Sequence, residues 1–158
     1  MSAQPWKTDH WSVSPHNFDD DVAVEPHRVE LHDITIRDGE ECADLAYNVD
    51  DKVRIAEALA ATGLKRTELF LTVPGWLEAV RAIMDRQLPL DLYVDWNPER
   101  VGRAIDLGVR HIMIWYLIGE HQQTHYLGKS RAELEQVAAD QIAAAVAAGC
   151  HANLFMPE

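Results

Sequence analysis

The stretch from residue 49 to residue 73 decides the fold class, because a helix pattern is followed closely by a strand pattern. Its first part, "VDDKVRIAEALAATG" (49–63), repeats apolar residues at helical spacing and ends on Gly63, a residue typical of helix C-termini. Its second part, "RTELFLTV" (66–73), is a short run of mostly apolar and β-branched residues, which indicates a buried strand. The stretch therefore predicts one α/β unit.

The same unit recurs along the chain. Strand patterns lie at 29–36, 66–73, 90–96, 110–118 and 151–157, and helix patterns lie at 49–63, 75–87, 98–108 and 130–149. Ser130 and Glu133 have the spacing of a capping box at the start of the last helix. Strands that alternate with helices through short connections predict a parallel sheet, either in a (β/α) barrel or in an open doubly wound sheet.

Length limits how much of a barrel the chain can form. A complete eightfold barrel takes roughly 250 residues, whereas residues 29–158 carry about four and a half β/α units. We therefore expect the N-terminal portion of a barrel that belongs to a longer protein, or an open-sheet relative. Residues 1–28 show neither strand nor helix periodicity and are expected to form a loosely ordered leader.

Composition excludes several classes of function. The 158 residues are 47% hydrophobic and carry a formal net charge of −12, which suits a globular protein and opposes binding to nucleic acids or anionic membranes. The longest apolar run, "IMIWYLI" (112–118), is too short to cross a bilayer. Cys42 and Cys150 lack metal-type spacing and are read as free thiols, so we expect a cytoplasmic location.

A compact charged cluster follows the first strand pattern, in "ELHDITIRDGEE" (30–41). Ligands of parallel α/β proteins bind at the carboxyl ends of the strands, where Arg37 and Asp38 are expected to lie. An aspartate there can give a hard oxygen to a divalent cation, and an arginine can stabilise a developing oxyanion. The same residues could instead form a polar turn in which Gly39 supplies a positive φ and the flanking glutamates face water.

The motif "DITIRDGEE" (33–41) resembles the D-T-T-L-R-D-G-E-Q signature of the DRE-TIM metallolyases, which include isopropylmalate, homocitrate and citramalate synthases and, more distantly, hydroxymethylglutaryl-CoA lyase. The similarity extends through "VDDKVRIAEALAATGLKRTELFLTVPGW" (49–76), "YLGKSRAELEQ" (126–136) and "NLFMPE" (153–158). This resemblance implies a TIM barrel, of which the chain would hold the N-terminal half.

The resemblance also implies roles for individual residues. Asp38 would be a metal ligand, and Arg37 would steady the charge of an enolate. Glu158 matches the acidic member of the synthase triad, and Glu68 occupies a position that resembles the corresponding acid of the lyase branch. Read without the family, Glu158 is a solvated terminal residue and Glu68 an ordinary strand residue.

The function that the resemblance implies is a metal-dependent Claisen condensation of acetyl-CoA with a 2-oxo acid. The expected cofactors are a divalent metal (Mg²⁺, Mn²⁺ or Zn²⁺) and acetyl-CoA as cosubstrate, and the expected protein partner is a second copy or a complementing half-barrel chain. Two alternatives stay open: a retro-aldol or retro-Claisen lyase, and a noncatalytic half-barrel.

Several positions depart from the family pattern. The chain has no H-x-H motif to supply the remaining metal ligands, and the His121–His125 pair lies in a polar stretch that predicts a loop. Asp95 stands where the synthases often carry an arginine, and Gln122 stands where they often carry a histidine. The identity of the 2-oxo acid is therefore open.

Overall fold

The computed structural model describes His10, residues 13–14 and residues 30–157. The chain divides after Glu30, and the second unit, which begins at Leu31, carries the sheet. The predicted leader lies almost entirely outside the described residues, and Glu158 lies outside them as well.

Five parallel strands form one sheet in the order β1-β2-β3-β4-β5. They are β1 (His32–Asp33), β2 (Arg66–Leu69), β3 (Asp91–Asp95), β4 (His111–Trp115) and β5 (His151–Phe155). A doubly wound sheet reverses its strand order at a switch point, whereas strands in a barrel follow one another in sequence. The sequential order therefore confirms the barrel alternative, and the sheet is a curled half-barrel.

Helices connect successive strands. They are α1 (Thr35–Gly39), α2 (Val49–Ala61), α3 (Trp76–Asp85), α4 (Val101–Asp106) and α5 (Arg131–Ala147). The predicted capping box of Ser130 and Glu133 is present at the start of α5, and a second one joins Asn48 and Asp51 at the start of α2. Within the described ranges, no helix has the length and apolarity needed to cross a membrane, and both cysteines are free.

The two faces of the sheet differ in chemistry. Leu69, Val94, Ile112 and Ile114 point toward the helices and are fully buried in the apolar core. The intervening residues face the concave side, where the rings of His32, Tyr93, His111 and His151 contact one another in sequence across the sheet. Strand alternation thus separates a core face from a polar concave face.

Two local predictions were wrong. The strand expected through residue 36 ends at Asp33, and residues 35–39 form the single turn α1. The loop expected after β4 contains a π-helix (Gln122–Leu127). Tertiary packing explains the first difference, because Ile36 on α1 is fully buried in the core.

Candidate functional site

The site is organised around Arg37 on α1. Burial of Ile36 fixes this turn on the core, and the guanidinium of Arg37 points to the concave side, where 11% of its side chain is exposed. Its Nε donates a hydrogen bond to Glu68 at 2.6 Å, and its Nη1 donates to Asp38 at 2.7 Å and to Glu41 at 3.3 Å. Its Cζ lies 5.6 Å from the centroid of the Phe70 ring. The guanidinium of Arg37 thus forms ion pairs with three carboxylates.

Glu68 is the buried centre of this network. Only 4% of its side chain is exposed; its Oε1 accepts from Arg37 and its Oε2 accepts from Nε2 of His32 at 2.9 Å. The parallel register of β1 and β2, in which His32 pairs with Arg66, brings together side chains 31 and 36 positions apart in the sequence. Both carboxylate oxygens are therefore held.

The electrostatics favour the ionised forms of this pair. Burial raises the pKa of Glu68, but the hydrogen bonds from His32 and Arg37 outweigh burial and hold the pKa below its ordinary 4.5. Burial likewise lowers the pKa of Arg37, and the surrounding carboxylates, Glu68 first, raise it above its ordinary value. The pair is a fixed ion pair near neutral pH.

Asp38 differs from Glu68 in exposure. Its side chain is 56% exposed, and only its Oδ1 contacts Arg37. Among the described residues no hydrogen bond to Oδ2 is found, so this oxygen is available to a ligand from solvent. Glu41, one helical turn after Arg37, is also about half exposed.

Contacts with α2 and with Tyr47 fix the position of α1, the turn that carries Arg37. Glu40 and Lys52 on α2 form a buried ion pair with 2.6 Å between Oε1 and Nζ. A Cβ on Gly39 would lie 2.5 Å from the hydroxyl of Tyr47. Gly39 is helical and does not supply the positive φ of the polar-turn interpretation; its lack of a side chain leaves room for the ring of Tyr47.

A cavity of about 540 Å³ opens beside the network on the concave face. Its titratable lining residues are His32, Arg37 and Glu68, and its other lining residues are Ile34, Met113, Ala152, Asn153, Leu154 and Phe155. A volume of this size with a few convergent polar groups is typical of a small-molecule site. Asp38 lies at the edge of the network and does not line the cavity.

The structure brings three of the predicted site residues together: Arg37, Asp38 and Glu68. Sequence reasoning missed two of their neighbours. Glu41 would have been found from its i, i+4 spacing to Arg37 had α1 been predicted. His32 stands one residue before the family signature and carried no recognisable signal.

The described residues offer few ligands for a divalent cation. Within residues 30–157 and the other described positions, no group of three histidine, cysteine, aspartate or glutamate side chains is arranged to hold a metal ion. Asp38 offers one hard oxygen ligand, and a catalytic cation of this kind needs at least two more from the protein. The described residues alone do not complete a metal site.

Asp95 and the His121–His125 pair, which depart from the family pattern, lie outside the network around Arg37. The side chain of Asp95 accepts a hydrogen bond from the backbone of Leu71, and burial raises its pKa. Asp95 thus joins the ends of β2 and β3 and does not line the cavity. His121 and His125, at the π-helix, have ring centroids 4.7 Å apart.

Comparison with known proteins gives a family model and several partial relatives. The model described as HMGL-like matches residues 28–158. The chain is 38% identical over 64 residues to 2-isopropylmalate synthase of Trichormus variabilis, covering 39% of this chain and 12% of the relative. It is 29% identical over 121 residues to homocitrate synthase AksA of Methanopyrus kandleri, covering 74% and 30%.

Two further matches extend the comparison. The chain is 32% identical over 89 residues to 2-phosphonomethylmalate synthase of Streptomyces rubellomurinus, covering 53% of this chain and 24% of that one. The crystal structure of HMG-CoA lyase from Bacillus subtilis superposes with a TM-score of 0.69 at 17% identity, covering 83% of this chain and 47% of the lyase. The lyase likeness supports the fold, and the chain matches less than a third of the length of these curated relatives.

Proposed function

Because the chain belongs to the HMGL-like family, we propose that it forms part of the active site of an acyltransferase that condenses acetyl-CoA with a 2-oxo acid. The observation that carries the proposal is the buried Arg37–Glu68 pair at a cavity of small-molecule size. The synthases among its partial relatives support the same class of reaction.

Arg37 is the residue proposed to stabilise negative charge. Its Nε and Nη1 are bound to carboxylates, while no hydrogen bond of Nη2 is found among the described residues, so the Nη2 donors can reach a substrate oxygen. Because Glu68 holds the guanidinium before substrate arrives, the donors need not reorganise as an enolate or alkoxide oxygen develops. Glu68 is then a positioning residue for Arg37.

Asp38 is proposed as an oxygen ligand of a divalent cation, through the oxygen that Arg37 does not engage. The described residues do not complete such a site, and the roles proposed for Arg37 and Glu68 do not depend on the metal. Glu158, the acid implied by the synthase triad, is likewise a proposal.

A lyase acting in the reverse direction is the second candidate. Glu68 occupies the position that resembles the acid of the lyase branch, and it is buried and bonded to Arg37 rather than placed as an ordinary strand residue. An assay of thiol release with 2-oxo acids, run beside cleavage of 3-hydroxyacyl-CoA or hydroxy-oxo acids, separates the two directions.

The test of the site is Arg37→Lys. A lysine keeps the charge but loses the planar fork, so we expect a loss of about 2–3 kcal/mol in transition-state stabilisation, measured as kcat/KM for thiol release. Arg131→Lys is the control, because Arg131 also bonds a glutamate but is exposed on α5. A change of less than threefold for Arg37→Lys would remove Arg37 from the site. A folded wild-type chain inactive in both assays would favour the noncatalytic half-barrel.

A further inference from the structure

His32 lies in the same cavity as Arg37 and Glu68 and was assigned no role by the sequence. We propose that His32 is the base that removes the proton from the acyl methyl group and that Glu68 holds its ring for this task. The inference rests on the proposed function and deepens it, since that function left the base unidentified.

Glu68 determines which nitrogen of His32 is the base. A carboxylate accepts hydrogen bonds, so the contact at 2.9 Å places the proton of a neutral imidazole on Nε2 and leaves the lone pair on Nδ1. No hydrogen bond to Nδ1 is found among the described residues, and the side chain is 25% exposed. The carboxylate also stabilises the imidazolium that forms once Nδ1 has taken a proton.

The orientation of the ring is fixed on two sides. The other oxygen of Glu68 is held by Arg37 at 2.6 Å, so the carboxylate cannot rotate freely. Tyr93 on β3 packs edge-to-face against the His32 ring, with 4.7 Å between centroids. A base held in one orientation avoids the entropic cost of finding its productive position.

The other titratable groups of the cavity are less suited to this step. Arg37 stays protonated, and Glu68 has both oxygens engaged and a lowered pKa, which makes it a weak base. His111 and His151 stack on each other 5.0 Å apart and do not line the cavity. His32 is the remaining titratable residue of the lining.

The proposed step balances without an oxidant or reductant. Nδ1 of His32 takes a proton from the methyl carbon of the acetyl thioester, the electron pair of that C–H bond becomes the carbon–carbon π bond of the enolate, and the thioester carbonyl π pair moves to its oxygen. This oxygen then re-forms the thioester carbonyl while the enolate carbon bonds to the ketone carbon of the 2-oxo acid, whose own carbonyl π pair moves to its oxygen. The imidazolium returns its proton to this alkoxide, and later hydrolysis by water releases the thiol of coenzyme A.

Among the described residues, the charged and titratable groups that face His32 come from three elements. These groups are Glu68 on β2, which accepts its hydrogen bond, Arg37 on α1, which acts through Glu68, and Tyr93 on β3 with Arg66 beside its ring. The carboxylate of Glu68 is ionised and the guanidinium of Arg37 is protonated around neutral pH, so the ion pair beside the His32 ring keeps its charges there.

The experiment measures thiol release by the full-length protein, with folding monitored by circular dichroism. We expect His32→Gln and His32→Ala to lower kcat by about 10²- to 10⁴-fold. Added imidazole should restore part of the His32→Ala rate, in proportion to its unprotonated fraction. His151→Gln is the matched control, a histidine on the same concave face outside the cavity lining, and should stay within about twofold of wild type.

A second measurement does not depend on turnover. Nitrogen-15 NMR of the imidazole should show the Nε2–H tautomer for His32 in the wild type, and Glu68→Gln should reduce that preference. An Nδ1–H tautomer in the wild type would overturn the proposal.

The outcomes separate the two proposals. A wild-type chain active in thiol release, with a folded His32→Ala variant within tenfold of it, would overturn the role of His32 and leave the acyltransferase standing. A large loss with no imidazole rescue would make His32 structural and overturn the base assignment. Absence of thiol release in the wild type would overturn the proposed function and the His32 step with it.

Discussion

The two faces of the sheet, which are built from the same five strands, bury different kinds of side chain. Toward the helices, Val94, Ile112 and Ile114 are fully buried among apolar neighbours. On the concave side, Glu68 is almost as deeply buried but is satisfied by Arg37 and His32. Burial alone therefore does not separate core from site; the separation lies in whether a buried group is apolar or polar with its partners supplied.

This difference predicts that substitutions on the face toward the helices mainly lower stability, whereas substitutions on the concave face mainly alter the candidate site. An outer-face change removes apolar contacts and leaves a space. A change on the concave face removes a partner from a charged network and alters the groups that a ligand would meet.

The largest effect on stability is expected for Ile114→Ala. The side chain is fully buried in the core, so its truncation should lower the free energy of unfolding by about 2–5 kcal/mol, measured by urea denaturation. Ile118→Ala, at a residue that is 42% exposed just after β4, is the control and should cost less than about 1 kcal/mol. Equal losses of stability in the two variants would mean that the face of the sheet toward the helices does not form the apolar core.

A smaller loss is expected for Glu68→Gln. The variant removes the negative charge from the hydrogen bonds to Arg37 and His32, so the free energy of unfolding should fall by about 2 kcal/mol. Glu135→Gln, at a glutamate that bonds Arg131 on the exposed face of α5, should change stability by less than about 0.5 kcal/mol.

The loss at Glu68 should also depend on pH. The pKa of Glu68 is lower in the folded chain than its ordinary 4.5, so the unfolded chain binds more protons as the pH falls. The stability that Glu68 contributes is therefore complete above pH 4.5 and is lost as the pH falls through the folded-state pKa. A difference between wild type and Glu68→Gln that stayed constant across this range would contradict the ion pair.

The smallest effect on stability is expected for Asp38→Asn. Its side chain is mostly exposed, so the free energy of unfolding should change by less than about 0.5 kcal/mol, while Mn²⁺ affinity, measured by titration calorimetry, should fall if Asp38 is a cation ligand. Asp140→Asn on the exposed face of α5 is the control. Unchanged Mn²⁺ binding in the Asp38 variant would remove that assignment and would leave the Arg37–Glu68 pair unaffected.

Much of the fold could be predicted because its signals are local. The apolar spacing of 49–63 and the capping box of Ser130 and Glu133 depend on residues within a few turns of each other, and both appear in the structure. The predicted end of β1 was wrong because the pattern "VELHDITI" (29–36) reads as strand throughout. The fate of Ile36 depends on a core contributed by distant elements.

The site was predictable only in part. Arg37 and Asp38 could be selected through the family signature, whereas the contact of Arg37 with Glu68 joins residues 31 positions apart, and that of His32 with Glu68 joins residues 36 positions apart. These contacts depend on the register of β1 against β2, and the local sequence does not predict that register.

The sequence by itself determined the alternation of helices and strands, the acidic surface charge and the position of the charged turn, because periodicity, capping and charge are properties of neighbouring residues. The tertiary structure alone decided the sequential strand order, the one-turn helix under Arg37 and the clamp of Glu68 between Arg37 and His32. These features arise when parallel strands pair and bury an apolar face, and that process brings together side chains far apart in the chain.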